Sequence, residues 1–361
     1  MKTIHKLALL LLLIPSVVMA NNEIDKKKRY EKSKTISKKF DVNSNATLEI
    51  SNKFGDVNVS SWDQNRIEID VKITVKGNDE DKLEDILEKI RVDFTNSSSL
   101  VTAKTILGNK NNWGFWKKKK KISYTIDYTV KMPITNNAKL NNDYGGIVLD
   151  ELEGTADINC DYGKITIGDL KGNDSTINLD YCSSSSVDSM KDGDINIDYS
   201  QLSVDSATNV DLSMDYSTMK FGEVGDVSFS ADYGSLVVDN ANSASGTSDY
   251  TGVKFGTINK SLKLNTDYGS VRIKNLANGF DFVDINTEFA SVKIGLSPNI
   301  SFDFVLDLQY AGFKRDNSNI NMRKSIKKNN KAHYEGTYGK GNSNSKITIK
   351  SEYGGVTFYE N

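Results

Sequence analysis

Apolar and polar residues alternate at period two along most of the chain, and a short turn tripeptide breaks the alternation at regular intervals. Alternation of this kind predicts half-buried β-strands, with one face inward and one in solvent. The tripeptide is first seen as Asp143-Tyr144-Gly145 and returns as Asp161-Tyr162-Gly163, Asp180-Tyr181-Cys182 and Asp198-Tyr199-Ser200. It continues as Asp215-Tyr216-Ser217, Asp232-Tyr233-Gly234, Asp249-Tyr250-Thr251 and Asp267-Tyr268-Gly269. Looser copies follow at Glu288-Phe289-Ala290 and Gln309-Tyr310-Ala311, and Glu352-Tyr353-Gly354 stands apart near the end. From position 144 to 310 the aromatics are spaced 18, 19, 18, 17, 17, 17, 18, 21 and 21 residues apart. Apolar residues recur two and four places before the aromatic, as in Ile158 and Cys160 or Ile195 and Ile197. They fall again three and five places after it, as in Ile147 and Leu149 or Leu236 and Val238, with a third at eight, as in Leu152, Leu170 and Ile258. The phase slips by one residue across the small residue that follows the aromatic, as a bulge or corner would make it slip.

A unit this short cannot bury its own apolar face, so successive units must stack to make a continuous core. The expected fold is all-β: a single-stranded β-solenoid, or β-helix, of about ten rungs of 17–21 residues. Eighteen residues at about 3.3 Å each give a perimeter near 60 Å, room for three short sides, and ten rungs at about 4.8 Å give a rod on the order of 50 Å long. The uneven steps argue against a hexapeptide prism. An antiparallel sandwich is the competing arrangement for strands at this spacing, and the regularity of the repeat favours the solenoid.

The segment before the repeat has a different pattern. Residues 40–135 carry longer strand-like runs at Ala46 to Ile50, Arg66 to Val75, Leu100 to Leu107 and Ile122 to Met132. An early relative of the repeat sits at Lys53-Phe54-Gly55. One helix is predicted over 79–91, where Leu83, Ile86, Leu87 and Ile90 share a face and Asp79, Glu80 and Asp81 suit the N-terminus. An uncovered strand edge invites aggregation, so this region is expected to cap the first rung. The resulting organisation is a basic polar segment at 21–39, the cap at 40–135, the repeat at 136–310, a basic loop insertion at 311–345 and a terminal rung at 346–361.

Composition narrows the class. Of 361 residues 37% are hydrophobic and only 2 are Cys, which excludes wholesale disorder and a disulfide scaffold. Lys2 and Lys6 precede the apolar run Leu7 to Ile14, and Val18-Met19-Ala20 offers a cleavage site, so residues 1–20 match a secretory signal peptide. The run is shorter than the roughly 20 residues a membrane span requires. Export to the periplasm, the outer surface or the medium is expected. The net charge of −2 conceals a segregation: residues 136–310 hold 27 acidic and 11 basic residues, while both flanks are basic. That asymmetry predicts salt-sensitive contacts within or between molecules, including homo-oligomers made by end or edge contacts.

The opening Leu48 to Val59, the run Tyr128-Thr-Val-Lys-Met-Pro133, the serial Tyr-Gly-x-Ile-x-Ile units and the close Ser351-Glu-Tyr-Gly-Gly-Val-Thr-Phe358 carry a family likeness. Over roughly residues 40–361 the chain resembles the bacterial putative adhesin family of exported β-solenoid proteins. The resemblance implies a cell-envelope or secreted β-helical protein and supplies no active-site residues. Likeness of fold does not establish function.

Candidate chemistry centres on the repeat. In register, Asp143, Asp161, Asp180, Asp198, Asp215, Asp232, Asp249 and Asp267 would form a surface ladder at about 4.8 Å spacing. Neighbouring carboxylates would repel by about 1 kcal/mol in water, so cations, lysines or backbone hydrogen bonds must offset them. A calcium row is one reading. The other is that each Asp satisfies corner amides, which is favoured because the units lack the Gly-Gly-x-Gly-x-Asp pattern of calcium-binding rolls. No metal or other cofactor is expected. The tyrosines share the parity of the apolar positions before them, which favours inward or corner packing; exposed, they would form a platform for sugars. Trp113, Phe115 and Trp116 precede Lys117, Lys118, Lys119, Lys120 and Lys121, a combination suited to an anionic membrane or surface polymer, or to a plain hairpin tip. After removal of the leader His333 is the single histidine, which gives a His-based triad little support. Cys160 and Cys182 are out of register and read as core residues. The expected function is a noncatalytic adhesin-like or surface-binding scaffold of the envelope. Its alternatives are a carbohydrate-active β-helix enzyme acting on acidic polysaccharide and a purely structural envelope protein. The partner classes are a cell-surface glycan, another envelope component or a membrane surface; nucleic acid is not expected.

Overall fold

The computed structural model describes residues 29–108, 122–315, 319–340 and 343–361. The fold is all-β: the described residues form 26 strands in one continuous sheet and a single helix. The segment 1–20, expected to be a signal peptide, and the aromatic-basic segment at 113–121 lie outside the described residues. No described helix is long and apolar enough to cross a membrane.

Through the repeat, strands pair in parallel with the equivalent strand of the next unit, position for position. Ala156–Asp161 lies between Asn137–Asp143 and Ser175–Asp180, so that Ile158 faces Leu140 and Ile177 across the ladder. Lys164–Leu170 lies between Gly146–Leu152 and Ser185–Asp198, with Ile167 opposite Leu149 and Val187. Each unit therefore gives one strand before its aromatic and one after. From Ser185 to Asp267 the second strand of one unit runs on into the first strand of the next, as in Gln201–Asp215 and Gly252–Asp267.

The alternation explains the burial. Ile158, Cys160, Ile165, Ile167 and Leu170 are buried, whereas Asp161, Lys164 and Thr166 between them are exposed. Full burial of an aliphatic side chain stabilises by roughly 1.5–3 kcal/mol, and the pattern repeats in every unit. Volume is exchanged between neighbouring units as well. Phe229 pairs with Gly246, and a Cβ on that glycine would come within 2.7 Å of the phenyl ring.

At the N-terminal end, antiparallel strands replace the parallel ladder. Tyr30–Asp41 pairs with Arg66–Gly77, which pairs with Ser123–Pro133. Ser123–Pro133 then lies parallel to Val57–Trp62, and Leu100–Ile106 lies parallel to Thr47–Lys53, so both strands of the first unit have their outer edges paired. The helix is Glu80–Lys89, within the predicted span, and buries Leu83 and Leu87. It packs on Tyr30–Asp41 and Arg66–Gly77, and Lys32 reaches Glu80 at 3.2 Å and Glu84 at 3.1 Å.

The C-terminal end departs from sequence order. Lys346–Glu352 inserts between Phe282–Glu288 and Phe302–Gln309, and Val356–Glu360 inserts between Ser291–Leu296 and Phe313–Arg315. The last residues of the chain are thus an interior layer of the ladder. Much of the stretch expected as a loop insertion is instead an antiparallel hairpin, Ile320–Lys328 with Lys331–Tyr338, laid along Phe302–Gln309. Phe302, Phe304, Phe313 and Phe358 meet at centroid distances of 5.1–6.5 Å and close the core beneath it.

Candidate binding surface

Each unit turns its corner at the aromatic. Twelve aromatic residues, Phe54 first and Tyr310 last in space, occupy the left-handed backbone region with φ between 45° and 64°. The region costs an L-residue with a Cβ roughly 1–2 kcal/mol and ordinarily selects Gly or Asn. Here the corner is held by the backbone: Tyr144 N–H donates to the Asp161 carbonyl at 2.9 Å, Tyr162 N–H to Asp180 at 2.9 Å, and Tyr233 N–H to Asp249 at 3.0 Å. The small residue that follows fills the inner corner. Thr251 Oγ1 donates to Ala231 O at 3.0 Å and accepts from Gly234 N–H at 3.2 Å.

The left-handed corner swings the ring outward. The ladder tyrosines from Tyr144 to Tyr310 and Tyr353 are 46–52% exposed, which corrects the inward placement that their parity favours. They still stack, but on each other and outside the core. The rings run Phe54, Tyr144, Tyr162, Tyr181, Tyr199, Tyr216 and onward through Tyr268, Phe289, Tyr353 and Tyr310. Centroids are 4.7–5.1 Å apart and planes within 10° of parallel. Tyr124 closes the first end edge-on to Phe54 at 5.2 Å. Each ring covers much of its neighbour's face, so the ladder presents edges and hydroxyls to solvent. A sugar ring stacked flat on an aromatic face is therefore not the contact this surface offers along its length.

The predicted Asp row is brought into one column immediately beside the rings. Asp143, Asp161, Asp180, Asp198, Asp215, Asp232, Asp249 and Asp267 pair in successive registers, and Glu288 and Glu352 extend the column. Basic residues bound it: Lys53, which is ion-paired with Asp143, stands at one end, and Lys331 at the other, beyond Gln309. Partial burial, followed by repulsion from Asp143 and Asp180, pushes the Asp161 carboxyl above its usual range. Burial and the neighbouring carboxylates do the same at Asp198 and Asp232. The corner amide of each aromatic is taken by a main-chain carbonyl of the next layer, as Tyr144 and Tyr162 show, except at Tyr310, whose amide donates to Asn330 of the hairpin turn. Among the described residues no group of three or more His, Cys, Asp or Glu side chains is placed to hold a metal ion.

The remaining candidates are not members of the exposed ring and carboxylate columns. Cys160 and Cys182 are buried free thiols, and Cys182 Sγ donates to the Cys160 carbonyl at 3.0 Å. Contact with Cys182 and burial push the Cys160 thiol up. His333 lies on the C-terminal hairpin with Nδ1 2.6 Å from Asp307 and Nε2 2.6 Å from Glu335. Those two hydrogen bonds, Asp307 first, raise its pKa above the ordinary histidine value.

No protein-family model matches the chain, and no curated protein is similar to it in sequence. Several solved structures are similar to it in arrangement. A putative adhesin from Parabacteroides distasonis is 13% identical with a TM-score of 0.35, over 73% of this chain and 97% of that one. A putative lipid binding protein from the same species is 10% identical with a TM-score of 0.30, over 90% of this chain and 96% of that one. A putative cell adhesion protein from Clostridium sporogenes is 10% identical with a TM-score of 0.23, over 91% of this chain and 100% of that one. At such similarity the functional reading rests on the geometry of the chain itself.

Proposed function

We propose that the chain winds as an exported β-solenoid and serves the cell envelope as a noncatalytic, adhesin-like binding scaffold. The observation that carries this reading is the exposed ladder of twelve stacked rings. Glycine would occupy the corner without strain, and the stacking gain of about 0.5–1.5 kcal/mol per pair only roughly offsets the cost of an aromatic there. The fold alone thus has little need of tyrosine at these positions, whereas a binding surface does. Parallel in-register pairing at a separation of one unit supports the solenoid. The noncatalytic reading is supported by His333, whose two ring nitrogens are both engaged by carboxylates, leaving neither to serve as a base.

The test is to replace Tyr199, Tyr216, Tyr233 and Tyr250 together by Asn, which accepts left-handed backbone, in the full chain. The variant is expected to keep its circular-dichroism spectrum and to lose at least about tenfold in binding to envelope preparations of its own organism, since four central contacts are removed. Undiminished binding by the folded variant overturns the ladder as the binding surface.

A further inference from the structure

The repeat that aligns carboxylates on one side of the rings aligns cations on the other. Four places after the aromatic, the outward position is neutral in the early units (Val148, Thr166, Ser203) and turns basic toward the C-terminal end. Lys254 pairs with Arg272 and Arg272 with Lys293, and Thr357 of the inserted strand separates Lys293 from Lys314. All four basic residues are exposed, and none has a carboxylate partner among the described residues. Lys220, earlier in the same column, is tied to Asp239 at 3.1 Å. The four span five strands, about 19 Å at the usual strand spacing. Three of the four, Lys254, Arg272 and Lys293, lie within the segment 136–310, whose overall balance is strongly acidic.

The line is also shaped and held. Between it and the rings, in these five layers, the position two after the aromatic is Gly252, Ser270, Ser291, Gly355 and Gly312, so a chain can approach the backbone closely. Arg272 is fixed with its guanidinium 5.6 Å from the Tyr359 ring centroid. Tyr359 is aligned with Gly295 across the ladder and donates to the Ile273 carbonyl at 3.5 Å. The inserted C-terminal strand therefore positions a cation two layers away, across the strand Ser291–Leu296.

We infer that Lys254, Arg272, Lys293 and Lys314 form a track for a linear anionic polysaccharide, an inference that rests on the surface-binding reading above and names a ligand class for it. A single row of cations at strand spacing suits charges carried along one narrow chain. A planar anionic membrane fits less well, because the row is one residue wide and the carboxylate column lies just across the rings. Single-stranded nucleic acid gains affinity by stacking bases on open aromatic faces, and here the rings cover one another.

The probe is polygalacturonate, with neutral dextran, phosphatidylglycerol vesicles and a single-stranded oligonucleotide as comparisons, binding to the full chain at low salt. Replacing the four residues together (Lys254→Gln, Arg272→Gln, Lys293→Gln, Lys314→Gln) is expected to weaken polygalacturonate binding at least about tenfold, each exposed ion pair contributing a few-fold. A charge-matched variant with Lys38, Lys72, Lys104 and Lys191 changed to Gln is expected to bind as the unmodified chain does. Binding of the unmodified chain is expected to weaken as salt rises, and dextran is expected not to bind. Equal loss in the two variants overturns the track in favour of net charge alone. Stronger binding to vesicles or to the oligonucleotide overturns the polysaccharide assignment. If envelope binding persists while polygalacturonate does not bind, the track fails and the scaffold reading stands. If polygalacturonate binds through the four residues but envelopes do not, the scaffold reading fails and the track stands.

Discussion

At the scale of the residue, the aromatic corner sets two costs against each other. Tyr216 pays the left-handed penalty at φ 45° and recovers it through rings stacked on both sides at 4.9 and 4.8 Å. This balance inverts the usual strand preferences. Tyr216→Gly loses two stacks but relieves the backbone, so its stability is expected within about 1 kcal/mol of the parent. Tyr216→Val loses the stacks and keeps a β-branched residue in left-handed space, so it is expected to be about 2–4 kcal/mol less stable. Denaturant melts of the pair decide the matter, and a Val variant as stable as the Gly variant would contradict the balance. The same corner explains what the sequence pattern could not deliver. Parity carries a side chain's direction only while the strand stays extended, and a single left-handed residue resets it. The period, the apolar positions and the Asp column were legible because each lies within one extended run. The outward swing of Tyr144 to Tyr310 was not, because it occurs at the break between runs.

Among the elements, the helix and the long N-terminal strands were legible from local periodicity, since Leu83 and Leu87 share one face and Arg66–Gly77 alternates throughout. The order of strands in space was not. Nothing local distinguishes a strand that ends a ladder from one that slips inside it, and Glu352-Tyr353 continues the acidic and aromatic columns as well as an inserted unit as it would at the end. The placement has a mechanical consequence. Deleting residues 346–361 excises an interior layer and removes Ile347, Ile349, Val356 and Phe358, all fully buried. That burial is worth roughly 6–12 kcal/mol, comparable to the whole stability of many domains. The truncated chain is expected to bind a hydrophobic dye and to lose protection in the strand Phe302–Gln309 and its hairpin. Hydrogen exchange unchanged in those strands would show that the layer is dispensable.

Across the whole molecule, the charge columns couple stability to pH. Asp161, Asp198 and Asp232 have raised carboxyl pKa values in the fold, so the folded chain takes up protons more readily there than the unfolded one. Their contribution therefore grows as pH falls through the folded values and is complete below the unfolded value of about 3.9. His333 is also raised, by Asp307 and then Glu335, and Lys324 opposes this. Its stabilising contribution is full below about 6.5 and is lost as pH rises through the folded value. Glu68 and Glu335 act in the other direction: Lys39 and His333 hold them below the usual carboxylate range, and their contribution disappears on strong acidification. The three sets leave a stability maximum in mild acid, above the carboxylate range and below about 6.5. Melting temperature measured at constant ionic strength is expected to fall from that window toward alkaline pH, with His333→Gln flattening the alkaline side. A melting temperature that climbs steadily from mild acid to mild base would mean that the carboxylate column is already neutralised, and would remove the main reason to regard it as an electrostatic load on the fold.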